Sequence, residues 1–191
     1  KSPHGSGNVE GISNYLVSFA KEHNLSCIQD EMKNIIIKKP AGKGYEQEPA
    51  VILQGHMDMV AVKKPGAAID MEKDGLTLGV EGDFLYAKDT SLGGDDGIAV
   101  AYALALLSSD DIPHPALEVI ITVDEEVGMD GAREIDLSGL KAKRMLNLDS
   151  EEEGIFLTSC AGGARINCFF PLTMEEKAGE LYRISVEGLL G

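Results

Sequence analysis

Basic residues are scarce in this sequence: 17 lysines and arginines face 32 aspartates and glutamates over 191 residues, a net charge of −15. A surface of that sign repels nucleic acid and anionic membranes, which both need a cationic footprint. Neither is an expected partner. Cysteine is scarcer still. Cys27, Cys160 and Cys168 form an odd set without C-x-x-C spacing. That argues against a disulfide framework or a thiolate zinc site and for a reducing compartment, so the expected location is cytoplasmic. No apolar run approaches the roughly 18 residues of a membrane span, and the first residues lack the basic-then-apolar layout of a secretory signal.

What is present is the mixture of a folded domain, 43% hydrophobic and 26% charged. The length allows one well-cored domain and the beginning of a second. Residues 9–22 put Val9, Ile12, Leu16, Phe19 and Ala20 on one helical stripe. Strands are expected at Asn34–Lys38, Ala50–Gln54, Leu117–Val123 and Met145–Leu148, the second as a run buried on both faces and the third as the strongest of the four. Leu76–Val80 and Phe84–Ala87 flank Glu81-Gly82-Asp83 and predict a hairpin. Gly97–Leu107 is rich in Ala and Leu and helical by propensity. Alternating strands and helices give an α/β fold, a layered sheet flanked by helices. After Asp149 the pattern shifts to two strand-like segments, Ala164–Phe170 and Leu181–Val186. Residues 1–160 are therefore expected to form one domain and 161–191 the first strands of another.

The chemistry-bearing residues share one kind of place, the C-terminal end of an expected buried strand or the loop after it. Ala50–Gln54 leads into Gly55-His56-Met57-Asp58, Leu117–Val123 into Asp124-Glu125-Glu126, and Met145–Leu148 into Asp149. The loop Leu92-Gly93-Gly94-Asp95-Asp96-Gly97 precedes the Ala-rich helix. Strand ends of this kind line the ligand crevice of open α/β sheets. Several carboxylates and an imidazole gathered at a sheet edge repel one another, and divalent cations relieve that repulsion. Mixed imidazole and carboxylate donors suit zinc, manganese or cobalt over calcium. His56 and Asp58, two apart on an extended segment, project the same way, so that Asp58 can hold the ring of His56. Of Glu125 and Glu126, one can ligate a metal while the other takes a proton from water. Each feature alone has a bland reading as a surface acid or a turn, but four in succession at strand ends point to one site. No H-E-x-x-H is present, and a calcium loop begun at Asp89 would place Val100 where glutamate is needed. His4, His23 and His114 lack ligand neighbours and are expected on the surface, with Met57 and Met59 as core filler.

At these residues the sequence resembles the co-catalytic dizinc exopeptidases, which include carnosinases, carboxypeptidase G-type enzymes and dipeptidases of Xaa-His substrates. The similarity runs from His4-Gly5-Ser6-Gly7-Asn8 through His56-Met57-Asp58-Met59-Val60, the Gly-Gly-Asp-Asp-Gly loop, Asp124-Glu125-Glu126-Val127-Gly128 and Asn147-Leu148-Asp149 to Cys160-Ala161-Gly162-Gly163 and Glu187-Gly188-Leu189-Leu190-Gly191. The resemblance implies hydrolysis of dipeptides with two divalent ions, zinc first among the candidates. His56 and Asp149 would hold one ion and Glu126 the other, with Asp95 bridging them and a cis peptide between Asp95 and Asp96. Glu125 would be the general base and Asp58 the partner of His56. It further implies an inserted lid domain and a homodimer. The family takes another metal-binding histidine from further along its chain, and no histidine follows His114 here. The 191-residue chain is thus expected to be an incomplete and nearly inactive form. The alternatives are a related tripeptidase, carboxypeptidase or N-acyl amino-acid deacylase, or a non-catalytic metal-binding domain.

Overall fold

The computed structural model describes residues 2–150, 154–160, 162, 166–176 and 178–186. The chain divides into two units, Lys1–Ile155 and Phe156–Gly191.

In the first unit, helix α1 (Glu10–Glu22) is followed by strands β1 (Ser26–Gln29), β2 (Ile35–Lys39) and β3 (Val51–His56). The hairpin β4 (Leu78–Glu81) and β5 (Phe84–Ala87) comes next, then helix α2 (Gly94–Ser108), strand β6 (Leu117–Thr122), the short helix α3 (Asp130–Glu134) and strand β7 (Arg144–Asn147). Five strands form one mixed sheet in the order β1-β2-β6-β3-β7. β1, β2 and β6 pair antiparallel, whereas β6, β3 and β7 run parallel. The parallel trio matters for function, because its three C-terminal ends fall side by side.

The two-residue period of the strands explains the core. Ile35, Ile37, Leu53, Val119 and Ile121 face one side of the sheet and pack with Leu16 and Ala20 of α1 and Val100, Ala103 and Leu107 of α2. The intervening Ile36, Ile52 and Ile120 face the other side, covered by Ala142 with Ile135 and Leu140. Both faces of β6 are buried throughout, as its largely apolar run predicts. Glu118 on that strand is buried because its carboxylate accepts the backbone N–H groups of Lys141 and Ala142 and pairs with Lys38 at 3.3 Å. The expected hairpin forms, with Gly82 at φ 59° in its turn.

Three expectations need adjustment. The β7 run was read as buried, yet Met145 and Leu146 are 57% and 48% exposed, since β7 is the edge strand of the sheet. β1 and α3 were not foreseen; β1 is a half-exposed edge and α3 a single short turn. His114, expected on the surface, is buried, its backbone carbonyl accepting the Gly42 N–H and its ring Nδ1 lying 2.7 Å from the Pro115 carbonyl. Met57 and Met59 are core residues at 2% exposure each, as expected.

In the second unit the described residues form no strand or helix, including 166–170 and 181–186 where strands were expected. Phe156, Phe169 and Ile184 are about nine-tenths exposed, and an alternating apolar segment holds strand geometry only with a partner to pair with and a face to bury. Ala164 and Arg165, Ala161 and Gly163 of the glycine segment, the acidic run 151–153 and the final residues 187–191 lie outside the described residues.

Candidate metal centre

His56 is the last residue of β3, and its ring is 1% exposed. Pairing continues one step past the strand ends, with Met57 N–H donating to the Thr122 carbonyl and Leu148 N–H to the Gln54 carbonyl. Three loops therefore leave the sheet at one level, carrying Asp58, the Asp124-Glu125-Glu126 turn and Asp149. The fourth contributor is the turn into α2. Asp95 and Asp96 are joined by a cis peptide bond and have non-helical backbone angles, so the regular helix starts at Gly97.

The side chains converge on the imidazole. Its Nε2 lies 3.1 Å from Asp95 Oδ1, 3.8 Å from Glu125 Oε2 and 3.9 Å from Asp149 Oδ1. Its Nδ1 faces the other way, 3.3 Å from Asp58 Oδ1, a close charge contact that does not meet hydrogen-bond geometry. Asp58, 1% exposed, is the hub beneath. Its carboxylate accepts the Ser6 hydroxyl at 2.8 Å and the backbone N–H groups of Glu125 at 3.1 Å and Glu126 at 3.4 Å. One carboxylate thus fixes the ring and the loop carrying both glutamates. That loop has a second anchor in buried Asn34, which accepts the Val123 N–H and donates to the Gly131 carbonyl.

Of the sequence-predicted residues, His56, Asp58, Asp95, Glu125 and Asp149 meet within 4 Å of one ring. Glu126 belongs to the same turn, but its carboxylate is not among the three donors that group together among the described residues. Those are His56, Asp95 and Asp149, whose ligand atoms lie within 4.8 Å of one another. Sequence reasoning missed Ser6 and Asn34 as supports and read Asp96 only as the neighbour of Asp95. The N-terminal Gly5-Ser6-Gly7 held a signal, since Gly5 bridges to Met59 and brings Ser6 onto Asp58.

The charges behave as a strained cluster. Burial alone disfavours the His56 cation, but the carboxylates of Asp58 and Asp95, with Asp149 beyond, reverse this and push it up to about 10. Burial works to raise Asp58, while His56, the Ser6 hydroxyl and the Glu125 N–H hold it down at about 2. Asp96 is pushed up to about 7, mainly by burial. Glu125 and Glu126 are both raised, first by burial; Asp149 and Glu126 add to this at Glu125, and Asp95 at Glu126. The negative groups exceed what a single imidazolium balances.

A divalent ion fits this donor set. Ligands about 2.0–2.2 Å from a tetrahedral ion sit roughly 3.4 Å apart, and the 3.1 and 3.9 Å separations from His56 Nε2 bracket that spacing. One imidazole with two carboxylates suits zinc and its neighbours.

No protein-family profile matches the chain. It is 39% identical over 191 residues to the cytosol non-specific dipeptidase of Escherichia coli (strain K12), covering 99% of this chain and 39% of that protein. The structure of aminoacylhistidine dipeptidase from Vibrio alginolyticus superposes with a TM-score of 0.77 at 40% identity, over 80% of this chain and 31% of that one. Over nearly its whole length the chain is similar to the peptidase D-like dipeptidases. A more distant likeness is aminopeptidase PepT from Bacillus cereus, with a TM-score of 0.63 and 26% identity over 78% of this chain and 40% of that one. The chain spans about two fifths of the length of the curated dipeptidase it matches. Among its described residues no helix is long and apolar enough to cross a membrane.

Proposed function

We propose that this chain carries the metal-binding heart of a dipeptidase that hydrolyses small peptides, Xaa-His dipeptides first among them, with two divalent ions, zinc by preference. The observation that carries the reading is the approach of Asp95, Glu125 and Asp149 to one face of the His56 ring while Asp58 holds the other. His56, Asp95 and Asp149 would hold one ion, and Asp95 with Glu126 part of the shell of a second. Bound there, the ions supply Lewis acidity toward the scissile carbonyl and the attacking water. Asp58 keeps the His56 ring oriented with Nε2 toward the donors. Glu125, 31% exposed beside that face, takes the proton of the attacking water and returns it to the leaving amine. Its raised pKa makes it a better proton acceptor than an ordinary surface glutamate. An 870 Å³ groove bordered by Ser6, Met59, Val62, Met71 and Glu126 opens beside the turn and is large enough for a short peptide. The reading extends to a cytoplasmic homodimer in which residues 161–191 begin a second domain.

The test is a chimera in which this chain replaces the matching segment of the E. coli dipeptidase, assayed with Xaa-His dipeptides, tripeptides and N-acyl amino acids. The reading expects hydrolysis of dipeptides that a chelator abolishes and zinc restores. Glu125→Gln should lower turnover by about 10²–10⁴-fold with metal content intact. A folded chimera inert toward all three classes, or active after chelation, would refute it.

A further inference from the structure

Metal sites assembled from separate loops need something to hold those loops in register, and the Asp95 turn reaches His56 from a different layer of the fold. We propose that Asp96 is a positioning residue that locks the Asp95 turn onto the end of β3, so that Asp95 and His56 meet at one ion. This rests on the metal-site reading above. Asp96 is 1% exposed and its Oδ2 accepts the backbone N–H of His56 at 3.1 Å. That amide needs an outside acceptor. Neighbouring strand amides point to opposite sides, and the Met57 N–H already bonds to β6. The His56 amide therefore points toward β7, whose paired register with β3 ends at Gln54 and Asn147. The Asp96 carboxylate supplies there the acceptor that the sheet does not.

Gly55 makes the approach possible. A Cβ at this position would sit 2.4 Å from Asp96 Oδ2 and 2.6 Å from Ala99 Cβ. The side-chain-free step in β3 is the slot that admits both the carboxylate and the first turn of α2. A single buried group thus joins the helix start, the strand end and, through the peptide bond to its neighbour, the exposed donor Asp95. The sequence Asp95-Asp96 then divides its labour, with the first aspartate facing the ion and the second facing the backbone.

Substitution separates this role from two simpler ones. Asp, Asn and Ser are near-equivalent at a helix start, so a mere cap would tolerate Asp96→Asn and Asp96→Ser alike. A contribution from negative charge alone would be lost equally in both. The lock predicts a split: Asp96→Asn keeps an acceptor oxygen within reach of the His56 amide, whereas the serine hydroxyl is too short to reach it. Zn(II) affinity of the 191-residue chain is measured by competition with a chromogenic chelator, alongside far-UV circular dichroism, the Co(II) absorption spectrum and hydrogen exchange at the His56 amide. Asp96→Ser should bind zinc about 10–100-fold more weakly, show a changed Co(II) spectrum and lose His56 protection while staying folded. Asp96→Asn should remain near wild type in all three. Gly55→Ala, which drives the carboxylate out of its slot, should repeat the serine result and serves if Asp96→Ser does not fold. Equal affinities for the serine and asparagine variants, at whatever level, would overturn the lock alone. A wild-type chain that binds no zinc would overturn the metal-site reading and the lock with it.

Discussion

The candidate centre has two halves of different construction. The inner half, His56, Asp58 and Asp96, is about 1% exposed and bonded to backbone amides or to its own members. The outer half, Asp95, Glu125 and Asp149, has side chains 57%, 31% and 29% exposed and faces the open side of the ring. The inner residues are part of the folding core, so their geometry is set before any ligand arrives. The outer residues collect charge at a solvent boundary, where a cation can enter. Damage to the inner half should therefore cost stability and, through the lost geometry, binding as well, whereas damage to the outer half should cost binding alone.

The strongest break is Asp58→Ala. It leaves a buried imidazole, the Ser6 hydroxyl and two amides without their shared acceptor, and should cost about 3–5 kcal/mol of unfolding free energy in urea titrations. A loss below about 1 kcal/mol would erase the distinction between the halves. Next is ligand-linked stability. Zinc at a hundredfold excess over its dissociation constant should stabilise the wild-type chain by about 2.7 kcal/mol. Asp95→Ala or Asp149→Ala should remove most of that gain while changing metal-free stability by no more than about 0.5 kcal/mol. Thermal melts with and without zinc measure both numbers.

The pH response sharpens the same contrast with smaller effects. His56 is raised from 6.5 to about 10 in the fold. Its protonated form therefore stabilises the metal-free chain fully below pH 6.5, and that contribution disappears as pH rises toward 10. A metal ion competes with that proton at Nε2, so zinc affinity should climb across the same window and each binding event should release a proton, measurable by calorimetry in buffers of different ionisation enthalpy. Asp58 is lowered from 3.8 to about 2. Its contribution is present above pH 3.8 and is lost as pH falls through 2, so the acid limb of unfolding should shift upward in Asp58→Asn.

Much of the inner frame was legible in the sequence. The apolar runs of β3 and β6, the Ala-rich helix and the hairpin turn are local signals, and the acids after the strands pointed to one crevice. The less legible parts depend on tertiary context. β1, Ser-Cys-Ile-Gln, has no apolar periodicity because an edge strand buries little. β7 reads as buried from composition, yet no local signal announces that it lies at the sheet edge. Asp95 and Asp96 are chemically identical neighbours, and only the backbone turn sends one to solvent and the other into the core. Ser6 supports a carboxylate 52 positions away, a contact that no window of sequence contains.

The most direct measurement is an anomalous-difference map at the zinc absorption edge from crystals of this chain grown with zinc. A peak at about 2.0–2.2 Å from His56 Nε2 and from the carboxylates of Asp95 and Asp149 is the expected result. A folded chain with no peak there, or with Asp149 turned away and zinc bound only at other surface acids, would contradict the claim that these strand ends were brought together to hold a metal.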